Sequence, residues 1–153
     1  MSDESSRLLA RITPMKVSDR TAPFFVWKDH FVLGSSKVDA EHRNFFDLAN
    51  RLRAAIIAGQ GPAVVRIALV KMTEHARCHF DDEEECLVAS SCPFLVEHRE
   101  EHRQFVLALA QLTAEASPSA ELAFCLARNW ILDHMLDMDR RHQRWIALMP
   151  GRG

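Results

Sequence analysis

The chain has 153 residues, 48% of them apolar and 26% charged, with a formal charge of −2. That is the composition of one globular domain able to bury a core, and it supplies no overall basic field for nucleic acid or an anionic membrane. No apolar run approaches membrane-spanning length, and the first twenty residues lack the apolar core of a secretion signal, so the cytoplasm is the expected compartment.

A polar leader, residues 1–20, is expected to be mobile and precedes the segment "TAPFFVW" at 21–27. Turn-forming punctuation follows at "GSS" (34–36), "GQGP" (59–62), "SSCP" (90–93), "SPS" (117–119) and "PGRG" (150–153). The four long segments between these marks are rich in Ala, Leu, Glu and Arg, with apolar residues three and four apart. That pattern predicts helices over 37–58, 62–90, 93–116 and 118–148. Ser36 with Asp39 three residues later resembles a capping box, and Pro62, Pro93 and Pro118 each suit a first helical turn. Short connections make successive helices antiparallel. The expected fold is therefore all-α: an up-down-up-down antiparallel four-helix bundle over residues 21–149, with an extended N-terminal segment and a short tail at 150–153.

Cys78, Cys86, Cys92 and Cys125 form no CxxC pair and match no zinc ribbon or finger. They read as small buried side chains in a reducing compartment, and nothing in the pattern supports a Cys86–Cys92 redox bridge.

Eight histidines are more informative. His79 and Glu83 are four residues apart, as are His98 and His102, so on a helix each pair projects from one face about 6 Å apart along the axis. In an up-down bundle the start of the first helix lies beside the end of the second, the start of the third and the end of the fourth. His42, His79, Glu83, His98, His102, His134 and Asp139 all fall at that one end. A single histidine so placed is ordinarily a hydrogen-bonded core residue, and a single acid ordinarily faces water. Seven ionisable groups converging at one height are costly to bury unless a metal satisfies them. Five imidazoles and two carboxylates exceed the needs of one four-coordinate zinc and suit two metals sharing carboxylates. Mixed nitrogen and oxygen ligation points to iron or manganese, of which iron has oxygen chemistry. The Glu-x-x-His motif of ferritin-like carboxylate proteins is absent.

The run "HFDDEEE" (79–85) separates on a helix. His79, Glu83 and approximately Cys86 share a face, Asp81 and Glu85 point away, and Asp82 and Glu84 flank the inward stripe. Like charges one turn apart repel, so the cluster reads as one inward ligand among acids that water or a cation must offset.

These residues carry a family resemblance. Trp27, "FVLG" ending at Gly34, "VDAEH" (38–42), "HFDDEE" (79–84), "HREEH" (98–102) and "WILDHMLDMD" (130–139) together resemble the hemerythrin family, specifically its single-domain bacterial members, from about Trp27 to Trp145. The resemblance implies a non-haem centre of two irons, with His98, His102 and His134 on one and His42 and His79 on the other. Glu83, Asp139 and an oxo or hydroxo group would bridge them. It implies reversible binding of O2, held as hydroperoxide at the iron with only two histidines, in oxygen storage, delivery or sensing. Phe45, Phe80, Trp130, Ile131 and Met135 match positions lining the family's oxygen pocket, and each also suits ordinary core packing.

Spacing argues against one of these assignments: His134 and Asp139, five apart, stand about 140° apart on a regular helix, and Asp137 is better placed. The family's HxxxxD pattern favours Asp139, bridging from the flank or across a local π-bulge. Of the remaining histidines, His75 reads as buried or supporting a ligand, His142 as bonding to Asp139 or facing solvent, and His30 lies outside the matched positions. Glu41, Cys86, Cys92 and Met135 depart from residues usual in the family. Two rival readings use the same centre: an enzyme acting on peroxide or nitric oxide, which predicts a more polar or open pocket, and a sensor acting through a separate, unidentified protein partner.

Overall fold

The computed structural model describes residues 23–148. The expected leader (1–20) and tail (150–153) lie outside the described residues. Helix α1 spans Ser36–Ile57, α2 Pro62–Ala89 and α3 Leu95–Ala114. The fourth, α4, is continuous but changes form: α-helical over Ala120–Asn129, π-helical over Trp130–Met138, and α-helical again over Asp139–Ala147. Each helix packs against the next and α4 closes on α1, giving an all-α four-helix bundle with no strand among the described residues.

The helices form where an apolar stripe recurs at spacings of three and four. In α2 the buried residues are Val65, Leu69, Met72, Ala76, His79, Phe80, Glu83 and Leu87. One stripe thus begins apolar and becomes polar along its length. The adjoining helices run the opposite way: α1 buries His42 before Phe45, Ala49 and Leu52, and α3 buries His98 and His102 before Phe105, Leu109 and Leu112. The far end of the core is dry, with Leu52, Leu69, Met72, Leu109 and Leu112 wholly inaccessible. Burial of each such side chain stabilises by about 1.5–3 kcal/mol, and this scaffold holds the polar end together.

Several termini differ from expectation. The N-cap of α1 is Ser35, whose Oγ accepts from Val38 N at 3.4 Å, while Asp39 reaches back to accept from Leu33 N at 2.8 Å and Gly34 N at 3.3 Å. Asp39 thus satisfies donors ahead of the cap, one residue out of capping-box register. Pro62 does occupy the first turn of α2. Pro93 and Pro118 stand before their helices, since α3 starts at Leu95 and Ser119 caps α4 by accepting from Leu122 N. Helices α1 and α2 end alike: Gln60 N donates to Ala55 O and Cys92 N to Leu87 O, closing a Schellman motif around a left-handed residue. That residue is Gly59 in one case and Ser91, at φ 51°, in the other.

The N-terminal segment lies along the bundle. Phe25 N donates to Asn50 Oδ1, Asn50 Nδ2 donates to Phe25 O, and Phe25, Trp27 and Phe31 all contact the ring of Phe46. At the opposite end from the histidines, the Arg66 guanidinium donates to the carbonyls of Thr113, Glu115 and Ala116, tying the start of α2 to the end of α3.

Candidate metal centre

All seven residues expected at the polar end are buried there, His98 and Asp139 completely. Glu83 Oε2 lies 3.0 Å from His98 Nε2, 3.3 Å from His102 Nε2 and 3.8 Å from His79 Nε2. Asp139 Oδ1 lies 3.2 Å from His134 Nε2 and 3.5 Å from His98 Nε2, and its Oδ2 lies 3.2 Å from His42 Nε2. Two groups of converging ligand atoms result: Glu83, His98, His102 and His134, and His42, His79 and Asp139. Yet His42 Nε2, His102 Nε2 and both Asp139 oxygens have no hydrogen-bond partner. Buried polar atoms without partners are rare, and here they face one another in two clusters whose nitrogen and oxygen donors suit a first-row transition cation. The donor set fits the pair of irons that the sequence resemblance implies.

The π-helical stretch resolves the spacing difficulty. Asp139 N donates to His134 O, five residues back, and this wider turn returns Asp139 to the face of His134. The Asp137 side chain instead stands 71% exposed and pairs with Arg141.

Electrostatics reinforce the convergence. Burial and the Asp139 charge push the Glu83 carboxyl up, but the contacts from His102 and His98 prevail and hold it at about 2. Burial likewise opposes ionisation of Asp139, and the His134 charge carries it well below the usual range. For His134, burial favours the neutral ring, and Asp139 and Glu101 outweigh it, raising the imidazole to about 9. Burial is the main cause of the lowered values of His79 and His102. In the metal-free chain one proton on His134 therefore does part of the work of a cation.

Three glutamates hold outer nitrogens of these imidazoles, and the sequence reading did not single them out for this role. His79 Nδ1 lies 2.7 Å from Glu41 Oε2, His102 Nδ1 2.9 Å from Glu84 Oε1, and His134 Nδ1 2.6 Å from Glu101 Oε2. Each glutamate directly neighbours an inward residue of its own helix and crosses to the next helix: α1 to α2, α2 to α3, α3 to α4. That adjacency was the available signal, because a residue about 100° round from an inward ligand sits at the seam with a neighbouring helix. Each carboxylate accepts the Nδ1 proton and turns Nε2 inward, where its lone pair is available to a cation once any proton there is displaced.

Aromatic walls cover the cluster. Phe80 stacks on His102 at 3.8 Å, Trp130 on His134 at 3.9 Å, and Phe45 meets His79 edge-on at 5.6 Å between ring centroids. Ile131 and Met135 are buried in the same core. His75 supports Glu41, donating from Nε2 to the Glu41 backbone carbonyl at 2.8 Å while its Nδ1 accepts from Asn44 at 3.1 Å. His142 departs from both expected roles: it is buried, with its ring 4.2 Å from that of His98 and stacked against Phe94. The thiols also depart from expectation, because Cys78 and Cys86 are exposed and only Cys92 and Cys125 are buried; no disulfide joins any of the four. In the acidic run Asp81 and Glu85 face solvent, and Asp82 pairs with Lys37 at 2.7 Å. His30 is exposed, and its carbonyl accepts from Arg140.

Residues 33–146 match the family model described as the hemerythrin HHE cation binding domain. The chain is 29% identical over 127 residues to a bacteriohemerythrin of Clostridium acetobutylicum, covering 77% of this chain and 98% of that protein. It is 30% identical over 132 residues to a bacteriohemerythrin of Ralstonia nicotianae, covering 82% and 90% respectively. A myohemerythrin of Theromyzon tessulatum is 27% identical over 119 residues, covering 78% and 91%. With a helical bundle whose polar end gathers imidazoles and carboxylates from all four helices, this chain belongs to the hemerythrin family of non-haem di-iron, oxygen-binding proteins.

Proposed function

We propose that His98, His102 and His134 hold one iron, that His42 and His79 hold the other, and that Glu83 and Asp139 span both. The chain then binds O2 reversibly, in storage, delivery or sensing. One observation carries this assignment: each buried carboxylate approaches imidazoles from both groups, Glu83 approaching His79 as well as His98 and His102, and Asp139 approaching His42 as well as His98 and His134. When bound, the irons supply the two electrons that reversible oxygen binding draws on.

The protein's own part is positioning and exclusion. Glu41, Glu84 and Glu101 keep a proton on Nδ1 of His79, His102 and His134, which fixes the ring orientations and leaves Nε2 free to ligate. Phe45, Phe80, Trp130, Ile131 and Met135 form an apolar wall that keeps water from the reduced centre. No helix among the described residues is long and apolar enough to cross a membrane.

The test is iron content per chain, followed by anaerobic reduction, admission of oxygen and its removal, with the absorption spectrum recorded throughout. Two irons per chain and a spectral change that reverses when oxygen is withdrawn are expected. One metal, zinc, or no reversible change would overturn the reading. Sustained consumption of peroxide or nitric oxide would mark an enzyme instead.

A further inference from the structure

His142 is used neither by the proposed iron set nor by the glutamates around it. It is 2% exposed, and its Nδ1 is buried without a partner, as is Nδ1 of the neighbouring His98. His142, His98 and Asp139 nevertheless bring ligand atoms within 4.8 Å of one another, a third converging group beside the two already described. A cavity of about 440 Å³ borders it, lined among others by Ser35 of the α1 N-cap, Glu83, Cys86 and Ser90 near the end of α2, and Gln143 of α4, with His142 in its wall. This cavity joins solvent to the polar end of the core, and its deeply buried polar walls are Glu83, Ser90 and His142, of which Glu83 and His142 are metal-ligating types.

We propose that His142, with His98 and Asp139, is a staging site where a divalent transition cation entering through this cavity is first held before it passes to the inner groups. This rests on the two-iron assignment above. Two of the three donors are shared with the inner groups, so an ion here competes for side chains that the filled centre uses. Cations this close also repel strongly in a buried setting. The position therefore suits an ion in transit rather than a third resident. Imidazole and carboxylate donors match iron(II), cobalt(II) or zinc. His142 is the donor that the staging site does not share, which makes it separable by mutation.

The experiment mixes the metal-free, full-length chain with Co2+ without air and follows uptake by stopped-flow absorption, with the equilibrium metal content measured separately. His142→Gln should slow uptake about tenfold, in line with the loss of one supporting donor, yet reach the native two ions per chain. His142→Leu, which keeps an apolar body against Phe94, should behave alike and guards against a packing defect in the glutamine variant. Gln143→Ala, which alters the cavity wall without removing a ligand of the group, should load at the native rate. Native uptake rates in both His142 variants would overturn the proposal. So would a fall below two ions at equilibrium, which would make His142 a resident ligand, or equal slowing by Gln143→Ala. A native chain that never reaches two ions would sink the di-iron assignment whatever the relative rates, so the two failures are distinguishable.

Discussion

The proton on His134 should give the metal-free chain a characteristic loss of stability at alkaline pH. In the folded chain that imidazole titrates at about 9, because the Asp139 charge and the Glu101 hydrogen bond outweigh burial, whereas in the unfolded chain it titrates near 6.5. A folded value above the unfolded one means that folding tightens proton binding. The resulting stability is fully present below about 6.5 and disappears as pH rises through about 9. At roughly 1.4 kcal/mol per pH unit, that interval corresponds to about 3 kcal/mol, a large part of the 5–15 kcal/mol typical of a domain. Urea unfolding of the metal-free full chain at about pH 6 and pH 9.5, followed by circular dichroism, measures it. The informative quantity is the difference between the native chain and His134→Gln, which keeps every other titratable group. The native chain should lose about 3 kcal/mol more than the variant across the interval. Equal losses would refute the idea that Asp139 and Glu101 hold a proton on His134. In the loaded protein the cation displaces this proton, so metal affinity should rise with pH over the same interval.

Other outcomes follow from the same geometry. Glu83→Ala should abolish binding of the iron pair while Glu85→Ala leaves it at the native content, because Glu83 is buried among three imidazoles and Glu85 faces solvent; equal iron contents would undo the assignment. Glu101→Ala should weaken metal binding about 10- to 100-fold by releasing the His134 ring, with Glu101→Gln partly restoring it; competition against a chelator reads the change, and an unaltered affinity would deny the glutamates their role. Phe105→Ala should destabilise the fold by about 3–5 kcal/mol, since its ring is 1% exposed and packs on Trp130 at 4.3 Å, and chemical denaturation with an unchanged slope would register it.

The bundle and the height of its polar end were legible in the chain because both depend on helical periodicity. Apolar residues three and four apart define the buried stripe, and His42, His79, His98 and His134 interrupt those stripes where an antiparallel arrangement brings them level. Helix starts were less legible. Ser35 and Ser119 act as caps because of backbone conformation at the turn, which neighbouring serines and prolines of similar propensity do not specify. The choice between Asp137 and Asp139 illustrates a larger limit: a regular helix favours the former, and only the i→i+5 turn over Trp130–Met138 brings the latter back to His134. The residues of that stretch meet their neighbours across the bundle, Trp130 against Phe80 and Phe105, and such tertiary contacts are not announced by local propensity. Tertiary structure likewise decided the partners of Glu41, Glu84 and Glu101 and the burial of His142. A chain written in order records which residues share a helix face, but crossings between helices and the depth of a side chain beneath its neighbours arise only when the four faces close around one core.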